Sequence, residues 1–524
     1  MVAAFELQYL LHGETRHLGF GFQFTSSLTG AEIRVHHRHT LVFTTPRIKD
    51  VAMESLLDAA AKIAAAAQNG AVHRVDLTIP DEYLQVPTDD LLEIRDTRSK
   101  GRGFFARTDI SPGTMLMVAK PVALAFDWED DSFEVDVPED EAMEDEDGEG
   151  GDEDEPRLNE VLLIRILEKI RDDPGLWERS LSMLFPRNSD DLASLPAWVV
   201  KEDDVFEKVE SAMQELQKIP DMEETAKEIS RRLPHIIRYN ILSVETCPEL
   251  LSYPELGFKN LSAVGLYSKP SFFNHSRFPN CHRFAIGDIM FFVANQQINF
   301  GDEVCISYIE HDILQESAYR RNLMLSMNFN DAAENEDADP TAEEAEGPQY
   351  PVVDPDLQNE LMNMDPFERL TSIDELMAQA SGSKPPEDAI PEEDDDDAME
   401  ATGSAWFQCD VQNLRILKAI TLEVLGQSRD ALAQWEECVE FAETKLPPLD
   451  ENAVVMRAHA ALCAWHTGLE TRARQHAEAA LRTHNLVFGG GVSRFRRRLQ
   501  SDFQLKFRPQ TSGDPVNDLW PAIL

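Results

Sequence analysis

Hydrophobic residues along the chain follow two kinds of spacing, which divide it into zones. Short runs rich in β-branched and aromatic residues, as in residues 91–126 and 263–309, are typical of strands. Between them, from Arg157 to about Ile241, apolar residues recur at positions i, i+3, i+4 and i+7, which predicts amphipathic helices. Helices between two groups of short strands indicate a helical insertion in a β domain, and nothing in the pattern indicates an open parallel sheet.

The first zone, residues 1–88, contains strand-like runs followed by an alanine-rich helix that begins at Asp50. This pattern predicts an α/β region whose role stays open. The cluster His36–His39 is better explained as a solvated strand face than as a metal site, because no partner ligands at metal spacing accompany it.

The last zone, residues 404–524, is typical of two helical hairpins of similar design. A glycine at each turn is followed five positions later by an alanine, Gly426 with Ala431 and Gly468 with Ala473. Small residues let paired helices pack closely, as in tetratricopeptide-like repeats, although the ordinary repeat of ~34 residues is shorter than the spacing here. The basic run Arg494–Arg498 fits a solvated helix face better than a nuclear signal or an anchor for an acidic segment.

Charge is concentrated in two segments. The formal net charge is −48, from 48 Lys plus Arg against 96 Asp plus Glu. Residues 129–155 hold 17 acidic and no basic residues, and residues 331–400 hold 24 acidic and two basic ones. Such composition buries too little apolar surface to offset the loss of chain entropy. We therefore expect a disordered insert at 129–156 and a largely disordered acidic linker at 331–403, in which the apolar spacing after Leu357 allows short helices.

These acidic segments are more simply explained as solvated spacers than as sites for basic histone tails. The remainder of the chain is mildly acidic, and no clustered cations indicate a direct nucleic-acid surface. The six cysteines are scattered without a C-x-x-C pair, which favours reduced intracellular thiols over a structural zinc site. The start lacks a secretory pattern, and no apolar run approaches the ~20 residues that span a bilayer. We expect a soluble protein of the nucleus, the cytoplasm or both.

Two short stretches carry candidate chemistry. Gly101-Arg102-Gly103 is followed by strand and turn rather than by a helix, so taken alone it indicates a tight turn and not a dinucleotide site. The stretch NHSRFPN, from Asn274 to Asn280, follows an apolar run and contains residue types common both in tight loops and in ligand sites.

Together with their neighbours, these stretches resemble one known family. GRGFFA, YNILSVE, GLYSKPSFFNHSRFPNC and INFGDEVCISY occur in the order found in the SET domain, and the chain is most similar to the branch of SET and MYND domain (SMYD-type) lysine methyltransferases. The resemblance covers about residues 91–330 and, more weakly, the C-terminal region. It implies an α+β chain: a SET β-fold of short antiparallel strands at 89–330 with a helical insertion at 157–245, followed by an all-α tetratricopeptide-like domain.

The resemblance also implies an activity, which is methyl transfer from S-adenosyl-L-methionine to a lysine of a histone or another protein. It makes Tyr308 the catalytic tyrosine, and Tyr267 and Met327 candidate walls of the lysine channel. The cofactor contacts that it implies are Lys100, Gly101, Arg102, Gly103, Asn240, Asn274, His275, Tyr308 and Phe329.

The sequence departs from the family pattern at several positions. Arg277 stands where the family usually has a cysteine, and residues 320–337 contain none of the cysteines of the usual post-SET zinc cluster. A MYND zinc finger is also missing, so we expect no metal. The alternative function is a catalytically inactive SET-like scaffold that binds partners through its helical repeats and acidic segments.

Overall fold

The computed structural model of the protein describes thirteen stretches of the chain. They are residues 22–27, 30–35, 90–97, 100–126, 156–195, 207–219, 222–245, 262–276, 278–308, 355–382, 403–492, 494–495 and 498. Several sequence predictions fall outside these residues: the alanine-rich helix, the histidine cluster, the insert at 129–155, Arg277, Met327 and Phe329.

Short strands form where β-branched and aromatic residues predict them. The strands are β1 (Phe22–Ser27), β2 (Gly30–Val35), β3 (Leu92–Asp96), β4 (Arg102–Ala106), β5 (Met115–Ala119), β6 (Ala123–Phe126), β7 (Ile241–Glu245), β8 (Ser262–Leu266), β9 (Asn274–His275), β10 (Cys281–Ile286), β11 (Ile289–Ala294) and β12 (Glu303–Ile306). In the described part of the chain they form four small sheets: β1-β2, β10-β11-β5, β3-β4-β12-β9 and β6-β8-β7.

The sheet that contains β12 brings distant sequence segments together. β12 pairs antiparallel with β4 and parallel with β9, so that Cys305 lies opposite Asn274 and Ile306 opposite His275. A parallel pair cannot be closed by a tight turn, and the chain between β9 and β12 makes the β10-β11 hairpin before it returns. The pairing therefore places the segment that ends at Tyr308 beside the stretch that begins at Asn274.

The helical insertion lies between β6 and β7, as its hydrophobic spacing predicts. Its helices are α1 (Pro156–Asp172), a π-helical turn (Trp177–Leu181), α2 (Ser189–Ala193), α3 (Glu207–Gln217) and α4 (Glu223–Asn240). Their apolar faces join the strands in one core that includes Ile166, Trp177 and Ile236. Arg232 of α4 is buried among these groups, and its guanidinium lies 4.9 Å from the Trp177 ring centroid.

Two helices occupy part of the acidic segment that was predicted to be largely disordered. They are α5 (Pro355–Asn363) and α6 (Pro366–Gly382). Leu361 and Ile373 pack against Leu414 and Leu417 of the next helix in a small buried cluster. Helices therefore form where the apolar spacing after Leu357 allows them, and their apolar face finds a partner helix that composition alone does not reveal.

The helical region after residue 403 consists of the two predicted hairpins. Its helices are α7 (Gly403–Val424), α8 (Ser428–Lys445), α9 (Glu451–His466) and α10 (Glu470–Val487). Gly426 and Gly468 adopt positive φ values of 71° and 76° at the turns, which a residue with a side chain rarely adopts. Ala431 and Ala473 are fully buried where the helices of each pair approach each other.

This helical domain docks directly on the β10-β11-β5 sheet. Phe488 packs on Phe284 of β10 with ring centroids 5.0 Å apart, and Leu449 and Val487 belong to the same cluster. Arg494 is 1% exposed, lies over the Phe284 ring and donates from Nη1 to the Phe488 carbonyl. The sequence-based interpretation of residues 494–498 as a solvated face is thus wrong at Arg494, because two aromatic rings and a carbonyl compensate its burial.

The elements together define the fold class. It is α+β, with short, mainly antiparallel strands, a helical insertion and a separate all-α region. Among the described helices, none combines the length and the apolar character needed to cross a bilayer.

Candidate active site

The glycine turn between β3 and β4 forms one edge of the candidate site. Thr97 closes it, since its backbone N–H and its Oγ1 both donate to the Gly101 carbonyl, at 2.6 and 2.9 Å. Gly101 has a φ of +74°, and nothing lies within 4 Å of the place where a side chain would begin. The positive φ explains why the first residue of the motif is glycine, and the space beside it is open.

Gly103 has a different reason to be glycine. A Cβ there would lie 2.5 Å from Glu303 Oε1 and 2.6 Å from Asn274 Nδ2. These two groups bind each other directly, because the Asn274 side-chain amide donates to Glu303 Oε1 at 2.6 Å. Asn274 Nδ2 also lies 3.3 Å from the Arg102 carbonyl, so its amide links the glycine turn to β12.

His275 connects the same turn to the candidate catalytic tyrosine. Its carbonyl accepts from Lys100 Nζ at 3.3 Å. Its Nδ1 accepts from the backbone N–H of Tyr308 at 3.1 Å, which assigns the proton of the neutral ring to Nε2. The two rings lie 5.2 Å apart at a tilt of 52°. His275 therefore fixes the backbone of Tyr308, which lies two residues after the end of β12.

Tyr308 has its hydroxyl fixed in one direction. The hydroxyl donates to the Phe273 carbonyl at 2.9 Å, directly before Asn274 in the chain. Burial raises the pKa of Tyr308 well above its ordinary value, and the neighbouring Cys305 thiol acts in the same direction. The phenol is therefore neutral at physiological pH, and its O–H donates to the Phe273 carbonyl.

Arg102 and Asn240 both contact the loop before α2 with their side chains. Arg102 donates to the Met183 carbonyl and lies 4.9 Å from the Phe272 ring centroid. Burial, followed by the charge of Arg187, lowers the pKa of Arg102. Asn240 donates from Nδ2 to the Phe185 carbonyl at 2.7 Å. Arg102 thus fastens the helical insertion to the glycine turn, whereas Asn240 ties the end of α4 to the loop before α2 within the insertion.

The glycine turn, Asn274, His275 and Tyr308 are joined at one place by hydrogen bonds, whereas the Tyr267 side chain binds elsewhere. Residues 101–309 match the model of the SET domain family. These residues form a SET domain.

Two solved structures are similar to the chain over most of its length. One is the SET domain of LSMT bound to lysine and AdoHcy, which is 13% identical and has a TM-score of 0.26, with 90% of this chain and 99% of that chain covered. The other is Rubisco LSMT bound to sinefungin and monomethyllysine, also 13% identical, with a TM-score of 0.25 and coverage of 83% of this chain and 95% of that chain. No curated protein matches the chain.

Tyr267 is the exception within the SET domain. Its side chain is fully buried in the main core, and its hydroxyl donates to the Asp288 carbonyl at 3.0 Å. Burial raises the pKa of this phenol as well. The ring supports the β10-β11 turn in this structure, and its role in the lysine channel stays a prediction. Met327 and Phe329 lie outside the described residues.

Sequence reasoning missed two polar residues that hold the site together. Glu303 receives the Asn274 amide, as described above. Asn280 places its side chain across β12, where Nδ2 donates to the Glu303 carbonyl at 2.8 Å and Oδ1 accepts from the Cys305 N–H at 2.9 Å. The available signal was a carboxylate in the otherwise apolar strand EVCI and the asparagine that closes NHSRFPN.

Groups suited to a metal ion are not assembled in the described part of the SET domain. No cluster of three or more His, Cys, Asp or Glu side chains there could hold one. Cys281 and Cys305 are buried thiols that form no disulfide, and burial raises the pKa of Cys281 well above its ordinary value. Such thiols behave as small apolar core residues.

Proposed function

We propose that the protein is an S-adenosyl-L-methionine-dependent protein-lysine N-methyltransferase. The observation that carries the proposal is the convergence, within a SET domain, of the Gly101 turn, Asn274, His275 and Tyr308. These residues are far apart in sequence and are joined by direct hydrogen bonds. A constellation of this kind serves to hold a cofactor and a reacting group in fixed relation.

The residues around the glycine turn fit S-adenosyl-L-methionine. Open space borders Gly101, and the ammonium of Lys100 and the polar edge of His275 lie beside it. When bound, the cofactor supplies an activated methyl group on a sulfonium. Lys100, Gly101, Asn274 and His275 would hold it, with Arg102 keeping the helical insertion closed against the same edge and Asn240 fixing the loop before α2 to the end of α4.

Tyr308 would position the lysine amine. Its hydroxyl proton is committed to the Phe273 carbonyl, so its oxygen offers lone pairs to an N–H of the incoming amine. The raised pKa of Tyr308 excludes a phenolate base near neutral pH. The lysine, with an unperturbed pKa of ~10.4, must lose its proton by another route, such as water. Tyr308 then contributes orientation rather than proton abstraction.

The substrate class and surroundings follow from the same proposal. The target is the lysine side chain of a protein, either a histone or a non-histone protein. The all-α region that docks on β10 is proposed to be a tetratricopeptide-like domain of a SMYD-like enzyme, with surfaces for protein partners. Its helical hairpins support this proposal, because stacked hairpins form extended binding surfaces.

The test is transfer of a labelled methyl group. Purified protein is incubated with labelled S-adenosyl-L-methionine, core histones and a cell extract, beside a Tyr308→Phe variant whose thermal unfolding is measured in parallel. We expect labelled protein with the wild type and at least about a hundredfold slower transfer with the variant, as for loss of one positioning group. Cofactor binding without labelled product over this substrate range would favour the scaffold function and contradict the proposal.

A further inference from the structure

A series of hydrogen bonds connects the helical domain to Asn274 in the SET domain. It begins at Leu449, in the turn between α8 and α9. The Leu449 N–H donates to the carbonyl of Asn295, the residue after β11, at 2.9 Å. This bond crosses from the all-α region to the SET domain.

Asn295 also binds Pro279 and Asn280, in the stretch that follows His275. It is 2% exposed. Its backbone N–H donates to the Asn280 carbonyl at 3.1 Å, and its side-chain amide donates to the Pro279 carbonyl at 3.0 Å. One buried residue thus fixes two consecutive carbonyls of this loop, and a buried donor that loses its partner is costly.

Asn280 continues the series of hydrogen bonds to β12, whose Glu303 binds Asn274. The Asn280 side chain binds the backbone of Glu303 and Cys305 on either side of Val304. The Glu303 carboxylate in turn receives the Asn274 amide at 2.6 Å, against the bare Cα of Gly103. A displacement of Asn280 would therefore shift the acceptor that orients Asn274.

The helical domain also holds this loop by apolar contact. Phe278, between Asn274 and Asn280, packs against the core of the helical domain. Leu449 is 6% exposed, and both Leu449 and Leu486 lie against Gly113. The loop is thus held from the helical domain by one aromatic side chain and by the Leu449–Asn295 hydrogen bond, both of which depend on docking.

We infer that Asn295 is a positioning residue, through which the docked turn between α8 and α9 sets the geometry of Asn274 and thereby the affinity for the cofactor. The inference rests on the proposed function, because it concerns the site assigned to S-adenosyl-L-methionine. It gives the helical domain a role in the chemistry that is separate from substrate recruitment.

The test measures cofactor affinity in the full chain. The dissociation constant of S-adenosyl-L-methionine is determined by calorimetry for the wild type, Asn295→Ala and Asn280→Asp, together with kcat, KM for the cofactor and the unfolding temperature. The Asn280→Asp variant keeps the acceptor for the Cys305 N–H and removes the donor to Glu303. We expect both variants to raise the dissociation constant and KM by about threefold to tenfold, the range for loss of one buried hydrogen bond.

A matched pair separates positioning from stability. Leu449→Pro removes the N–H that reaches Asn295, whereas Leu449→Ala keeps that N–H and loses similar side-chain packing. We expect the proline variant to weaken cofactor binding clearly more than the alanine variant does, at a similar loss of unfolding temperature. This pair also serves if Asn295→Ala does not fold.

Two results would overturn the inference, and they are distinguishable. Unchanged cofactor affinity in the Asn295, Asn280 and Leu449→Pro variants, beside a wild type that binds, would show that these contacts are only structural and would leave the proposed function intact. A wild type that binds no S-adenosyl-L-methionine would reject both.

Discussion

At the scale of single residues, the structure explains why glycine occupies both positions of the turn between β3 and β4. Gly101 is glycine because of its positive φ, and Gly103 because the Asn274–Glu303 contact occupies the space a side chain would need. His275 and Tyr308 are held together by a hydrogen bond to the tyrosine backbone and by the contact between their rings. Each of these assignments can be tested one residue at a time.

The Glu303 carboxylate provides the first residue-scale prediction. Glu303→Gln keeps an acceptor for the Asn274 amide, whereas Glu303→Ala leaves that buried amide with a poorer partner, at a cost of about 1–3 kcal/mol. We predict that the alanine variant weakens cofactor binding about tenfold and the glutamine variant much less. Titration calorimetry checks this order, and equal affinities of both variants and wild type would exclude an orienting role for Glu303.

Tyr267 provides a second residue-scale prediction, because its ring is fully buried in the main core and its hydroxyl binds the Asp288 carbonyl. Tyr267→Phe loses one hydrogen bond to the Asp288 carbonyl, so we predict about 0.5–1.5 kcal/mol less stability in urea unfolding. Methyl transfer should keep its kcat. A loss of kcat comparable to that of Tyr308→Phe would instead place the ring in contact with the substrate.

The pH dependence of catalysis follows from the Tyr308 environment. Burial raises the pKa of Tyr308, so the neutral phenol persists as pH rises. The lysine substrate becomes reactive as it approaches its pKa of ~10.4. We predict that kcat/KM increases from pH 7 to about pH 9 without an alkaline decline caused by Tyr308. A pH–rate profile with such a decline, absent in the Tyr308→Phe variant, would contradict the neutral-phenol mechanism.

At the scale of elements, the helical hairpins are joined by one partly buried carboxylate. Glu423 of α7 accepts from Trp435 of α8, His459 of α9 and Cys463 of α9. Burial alone would raise the pKa of Glu423, but the charge and hydrogen bond of His459 and the other two donors outweigh it and lower the pKa. The ionised carboxylate therefore stabilises the contact among three helices.

This network predicts acid sensitivity. A lowered folded-state pKa gives stability that is fully present above the ordinary value of 4.5 and is lost as pH falls through the folded-state value below it. Glu423→Gln should lower stability at pH 7, and its difference from wild type should shrink below about pH 4. Urea unfolding of both proteins over this range provides the measurement, and a constant difference would rule out the linkage.

Part of this arrangement could be predicted from the sequence, and the residues that could not be predicted share a physical reason. The order of the SET motifs along the chain predicted the positions of Asn274, His275 and Tyr308. The helical spacing of apolar residues and the turn glycines predicted the two helical hairpins. Asn280, Glu303 and Asn295 were not found, because each acts on residues 15 or more positions away and resembles an ordinary polar loop or strand residue. The apolar spacing allowed short helices at 355–382, but their packing on α7 was not predicted, because composition does not show which helix covers that face.

At the scale of the whole molecule, two units share one interface and one site. The SET domain supplies the residues that would contact cofactor and lysine. The all-α domain packs on β10 through Phe488 and contacts Phe278 in the loop that ends at Asn280. Docking relies on a buried cation, Arg494, between aromatic rings. The two units are therefore expected to unfold together rather than in sequence.

Methyl transfer to lysine is detected directly by mass spectrometry of substrate proteins after incubation with S-adenosyl-L-methionine that carries a deuterated methyl group. A protein-lysine methyltransferase places this methyl group on lysine side-chain nitrogens, and transfer by the Tyr308→Phe variant should be strongly reduced. Absence of deuterated methyl-lysine with the folded, cofactor-binding wild type, or equal labelling by wild type and Tyr308→Phe, would contradict the assignment.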